Sequence, residues 1–131
     1  EDLQAESGGT LSIVSAWRRG KPIGVGIVHW PGPRDAGVAQ RLPDCPELCR
    51  LFVDEGFRRR GVGRGLVRHM EELARARGFA RLGLGVSLNN KPARLMYEGL
   101  GYVPAGLPLY DEPPGPDGEG DRCEFMVRSM R

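Results

Sequence analysis

The sequence has only two lysines, two histidines and three cysteines, and no run of 18 or more apolar residues among its 131 positions. The last absence excludes a membrane-spanning helix, which needs about 20 apolar residues in succession. No basic stretch leads into an apolar segment with a small-residue cleavage site, so no secretory signal is readable. A cytoplasmic location with no membrane partner is expected. The chain opens on Glu1 rather than Met, so a leader removed earlier would leave no trace. Three cysteines cannot all pair, and Cys45 and Cys49 would sit about 13 Å apart on one strand, too far for a disulfide. His29, His69 and the distant Cys123 form no ligand spacing, so no metal is expected.

What is present suits one domain over residues 1–131: 40% apolar and 27% charged residues can close a real core. The net charge of +2 is too balanced to make nucleic acid a default partner, although the basic residues are nearly all arginine, seventeen of nineteen. A homodimer is compatible with the sequence.

Leu11 to Trp17 and Ile23 to Trp30 are β-rich runs around Arg18-Arg19-Gly20-Lys21, which predicts a hairpin. Pro31 to Pro46 is dense in proline and glycine and reads as a long surface loop. Glu47 to Val53 reads as a strand, then a Gly-Arg-rich turn, then a helix from about Gly63 to Arg77. In that helix Val62, Leu66, Val67, Met70, Leu73 and Ala74 recur at helical spacing, while His69, Glu71, Glu72 and Arg75 are expected to face water. Arg81 to Val86 alternates apolar residues with Gly83 and Gly85, leaving one face nearly bare and inviting a close approach. A second helix starts at Asn90-Lys91-Pro92 and ends near Gly99. Tyr102-Val103 restarts a strand. Tyr110 to Asp121 carries Asp111, Glu112, Asp117, Glu119 and Asp121 with no basic residue, before a last strand from Arg122 to Met130. Strand, helix, strand, helix, strand implies a mixed α+β sheet with parallel pairing at its centre.

The turn Arg58-Arg59-Arg60-Gly61-Val62-Gly63-Arg64 lies between strand and helix, where backbone N–H groups and a helix N-terminus converge on an anion. The glycines permit close approach and the arginines add charge-assisted bonds to a polyphosphate. The Lys-Ser/Thr of a P-loop and the downstream acid of a Rossmann loop are missing. A solvated basic turn, or an RNA contact with a steep salt slope, would use the same residues.

RxxGxG, as Arg58, Gly61 and Gly63, resembles the acyl-CoA pyrophosphate loop of the GNAT superfamily of CoA-dependent N-acetyltransferases. Glu47 to Asp54 before it resembles that family's fourth strand. Asn90 to Tyr102 after it is similar to the family's NxxAxxxYxxxGF/Y signature. The three motifs stand in family order over Glu47 to Val103.

The resemblance implies a twisted mixed sheet whose fourth and fifth strands splay, with flanking helices and acetyl-CoA as co-substrate. Main-chain groups of Leu51, Phe52 and Val53 would hold the pantetheine arm, and amides of Arg59, Arg60, Gly61, Val62, Gly63 and Arg64 the pyrophosphate, with Arg58 beside it. Tyr97 would protonate the departing thiolate, the alternative being a core aromatic. Asn90 would orient the cofactor arm or simply cap its helix. Glu47 is the candidate base through a water relay, against a solvent-facing residue at the strand start. Gly83 and Gly85 suit either the splay or helix packing, and His29 is expected to be structural or on the surface, a catalytic role being the alternative. The family's strand and helices before the hairpin look truncated, since only ten residues precede Leu11. The Pro31 to Pro46 loop and the acidic loop would then wall an amine acceptor site. The five acids would steer a cationic acceptor, or merely be solvated. An acyl-CoA-binding module without turnover is the alternative to an enzyme.

Overall fold

The computed structural model describes residues 2–112 and 120–130. In chain order it contains β1 (Asp2–Gly8), β2 (Leu11–Arg18), β3 (Lys21–His29), α1 (Ala36–Arg41), β4 (Glu47–Val53), a 3-10 turn (Glu55–Phe57), α2 (Val62–Ala76), β5 (Arg81–Ser87), α3 (Lys91–Gly99), β6 (Val103–Pro104), β7 (Tyr110–Asp111) and β8 (Arg122–Ser129). The strands make one sheet in the order β1-β2-β3-β4-β5-β8-β6, with β7 also on β8. Every pairing is antiparallel except that of β4 with β5. The mixed class with a parallel centre is therefore as expected.

Three local expectations change. Residues before Leu11 form a full strand, β1, paired with β2 from Asp2↔Trp17 to Gly8↔Leu11. Its side chains are all exposed, so ladder hydrogen bonds rather than an apolar pattern hold it. The loop from Pro31 to Pro46 contains α1, whose N-cap Asp35 accepts from the Val38 N–H at 3.0 Å and whose Val38 is buried. The acidic segment begins as a strand at Tyr110–Asp111; Asp117 and Glu119 lie outside the described residues.

The main core lies on one face, where Leu66, Val67, Met70 and Ala74 of α2 pack against Val14, Ala16, Ile23 and Val28. Each fully buried leucine or methionine there contributes about 1.5–3 kcal/mol. Glu71, expected in water, is fully buried. Its Oε2 accepts from Tyr102 Oη at 2.8 Å, and its Oε1 from Arg68 Nη1 at 2.9 Å and Arg128 Nη1 at 2.8 Å. Position 71 flanks the apolar stripe beside Val67 and Ala74, and two arginines supply the charge pairing that burial demands.

A smaller core of Val38, Cys45 and Phe125, with Leu42, Leu107 and Tyr110 against it, covers part of the opposite face. It also fills the bare side of β5. A Cβ at Gly83 would collide with the Phe125 ring and Cys45 Sγ, and one at Gly85 with Tyr110 Oη. Those aromatic rings, rather than the splay or a helix, are what approach the two glycines.

Candidate active site

β4 and β5 pair only at Glu47↔Gly83 and Leu48↔Leu84. Beyond Leu48, β4 stays with β3 as far as Val53 while β5 stays with β8 as far as Ser87. A register shift at Ile27/Val28, opposite this point, bends the pair away from β5. The result is a V-shaped gap in the middle of the sheet.

The gap holds a cleft of about 180 Å³ lined by Glu47 to Leu51 of β4, Gly85 to Ser87 of β5, and Asn90, Ala93 and Tyr97 of the α3 segment, with Arg34, Glu112 and Asp121 at the Glu47 end. That volume suits the reacting ends of two substrates rather than a whole cofactor-sized molecule. Glu47 and Leu51 of β4 thus share one cleft with Asn90 and Tyr97 of the α3 segment, which lie far from them in sequence. Phe52, Val53 and the turn from Arg58 to Arg64 lie off its lining, farther along β4.

Main-chain direction along β4 divides the three residues expected to hold the arm. The Asp54 N–H donates to Ile23 O at 2.8 Å, and Phe52 O lies over Gly24, so Asp54 and Phe52 turn toward β3. By strand alternation Leu51 and Val53 turn to the gap. The Val53 carbonyl already accepts from Arg58 Nε at 3.0 Å, and the Arg58 guanidinium lies 5.8 Å from the Phe52 ring centroid.

At the far end Gly61 is the N-cap of α2 in the left-handed region, φ 82°, and offers no side-chain cap. The first-turn amides of Val62, Gly63 and Arg64 are therefore open to an anion. Arg59 also has positive φ, 62°, a conformation that costs a non-glycine residue about 1–2 kcal/mol and turns successive amides toward one point. Arg60 is drawn aside over Phe57, 5.8 Å from its centroid.

Tyr97 is 7% exposed, with its ring edge-on to Tyr102 at 6.1 Å, and burial pushes its phenol up to about 12. A phenol so raised is protonated at neutral pH. Asn90 caps α3, accepting from the Ala93 N–H at 3.2 Å, and also lines the cleft. Glu47 is 4% exposed rather than solvent-facing. Burial raises its carboxyl above the ordinary value, opposed by the Arg34 N–H, which donates to Oε1 at 2.7 Å, and by the Arg34 charge. His29 bonds Gly32 O through Nδ1 at 2.7 Å, a loop-holding role.

Arg34 was not legible as a site residue. No local motif marks it, and its partners Glu47 and Glu112 are distant in sequence.

A family model described as "Acetyltransferase (GNAT) family" matches residues 1–102, and the chain belongs to that family. Among curated relatives, [Ribosomal protein bS18]-alanine N-acetyltransferase of Salmonella typhimurium is 37% identical over 70 residues, 53% of this chain and 47% of that protein. Streptothricin acetyltransferase of Streptomyces lavendulae is 38% identical over 78 residues, 58% of this chain and 40% of that protein. The matches thus span about half or less of these relatives' length. Among solved structures, ribosomal-protein-S18-alanine N-acetyltransferase from Escherichia coli superposes with a TM-score of 0.70 at 24% identity, covering 95% of this chain and 72% of that one. That likeness is one of fold. No helix among the described residues is long and apolar enough to cross a membrane.

Proposed function

We propose that residues 1–131 act as one domain that transfers an acetyl group from acetyl-CoA to a primary amine of a small molecule or protein. The observation that carries this reading is the two-residue contact between β4 and β5, which opens a gap with Glu47 at its apex and Tyr97 on its wall. Leu51 and Val53 would hold the pantetheine arm as an added strand, with Phe52 turned to β3. Amides of Arg59, Arg60, Gly61, Val62, Gly63 and Arg64 would take the pyrophosphate, and Arg58 would brace the end of β4.

In the reaction a bound ammonium gives its proton to Glu47, directly or through water. The free amine attacks the thioester carbonyl, the carbon–sulfur bond breaks, and the thiolate takes a proton from Tyr97. The nitrogen, which becomes positively charged on attack, then loses its second proton through water to Tyr97, while Glu47 gives the first to solvent, so no covalent enzyme intermediate forms and one proton is released per turnover. Glu47, Glu112 and Asp121 in the cleft lining outnumber Arg34 and Arg50 by one charge, an excess that would favour a cationic acceptor.

Tyr97→Phe tests the reading. Turnover is expected to fall about 10²–10⁴-fold, the range for a lost general acid, with acetyl-CoA affinity kept. Undiminished turnover removes Tyr97 from the chemistry, and binding with no turnover in either protein favours a module that only binds acyl-CoA.

A further inference from the structure

Arg34 sits in the connection between β3 and α1, with both sides of its backbone held. Upstream, His29 Nδ1 bonds Gly32 O at 2.7 Å; downstream, Asp35 caps α1 through the Val38 N–H at 3.0 Å. From this anchored position the Arg34 N–H donates to Glu47 Oε1 at 2.7 Å, and its guanidinium Nε stands 3.7 Å from the same oxygen. The other end of the guanidinium donates from Nη2 to Glu112 Oε1 at 3.0 Å. One residue therefore joins two carboxylates of the cleft lining.

We propose that Arg34 is a positioning residue for this active site: it fixes the Glu47 carboxylate through Oε1, leaves Oε2 to take the acceptor's proton, and is itself held in place by Glu112. The proposal rests on the acetyltransferase reading for its meaning but not for its test. Its geometry follows from separate jobs. The backbone donor cannot be lost without moving the loop, so it sets the orientation of Glu47. The guanidinium adds a charge that favours the ionised carboxylate in a buried site. Glu112, about 40% exposed, is the outer tether that keeps this long side chain from turning to solvent.

The groups that face Glu47 from neighbouring elements set the sign of each substitution. Arg34 and His29 favour its charge, and Glu112 opposes it. Cys45, Cys49, Tyr110 and Cys123 are close enough to feel its charge, and burial keeps each of them neutral. Removing the Arg34 charge should thus make Glu47 harder to ionise. Glu112→Gln should do the reverse, because the glutamine amide oxygen can still accept from Arg34 Nη2 and keep the guanidinium beside Glu47 while the opposing charge is gone.

The test follows the Glu47 carboxyl by NMR in protein labelled with ¹³C at glutamate Cδ, the resonance assigned by its loss in Glu47→Gln. Arg34→Met is expected to move the titration midpoint up, Arg34→Lys to bring it part of the way back, and Glu112→Gln to move it down. An unmoved midpoint in Arg34→Met, or shifts of the same sign in Arg34→Met and Glu112→Gln, overturns the proposal. If Arg34→Met does not fold, Arg34→Lys and Glu112→Gln still decide it by the same signs. A CoA titration of the same samples reports on the acetyltransferase reading separately: wild-type protein that fails to bind CoA sinks that reading and leaves the midpoints to judge Arg34.

Discussion

Glu47 and Tyr97 are both raised by loss of water, with opposite consequences for catalysis. Tyr97, near 12, is in its donating form throughout the working range, so the alkaline limb of the rate should not come from it below about pH 11. In the proposed mechanism Glu47 must be ionised to accept a proton, so burial should shift the acid limb upward. The same shift affects stability. A carboxyl raised in the fold contributes fully below its unfolded value, about 4.3, and the contribution is lost as pH rises through the folded value. Glu47→Gln should therefore be at least as stable as the parent at pH 8, with the advantage gone at pH 3.5, although its activity falls. Chemical denaturation at the two pH values checks this, and a Gln variant that loses stability at pH 8 would show that Arg34 outweighs burial.

At the scale of elements, Asn90 separates two roles. As N-cap of α3 it should cost about 0.5–2 kcal/mol on replacement by alanine. If its side chain only caps, Asn90→Ala lowers the denaturation midpoint and leaves CoA affinity unchanged; a weaker affinity assigns it to the cofactor arm as well. Gly61→Val tests the turn before α2. A β-branched residue at φ 82° is strained, and the amides of Val62 to Arg64 would be displaced, so CoA affinity should drop more than that of an amine acceptor. The elements with strong local patterns were legible: α2 by its apolar stripe, α3 by Asn90 and Pro92, and the β2–β3 hairpin by its turn. β1 was hidden because an edge strand with exposed side chains has no alternation to read. The short α1 was hidden by the prolines around it. Glu71 was assigned to water because its partners Tyr102 and Arg128 reach it only through tertiary packing.

For the whole molecule, the modest net charge conceals a local division: arginines gather at the turn before α2, whereas carboxylates outnumber arginines in the cleft lining around Glu47. Opposite substrates would thus enter opposite ends of one gap. Glu112→Gln with Asp121→Asn should raise KM for a cationic acceptor at low salt, with the difference shrinking as ionic strength rises. Nonlocal geometry explains why the sequence pointed to the cofactor side better than to the acceptor side. The turn and the α3 signature are contiguous motifs, whereas Arg34, Glu47, Glu112 and Asp121 meet only after the sheet closes. Calorimetric titration of the purified chain with acetyl-CoA tests the central claim most directly. The parted strands and open amides predict saturable one-to-one binding; no heat of binding at concentrations well above the micromolar range would contradict the account.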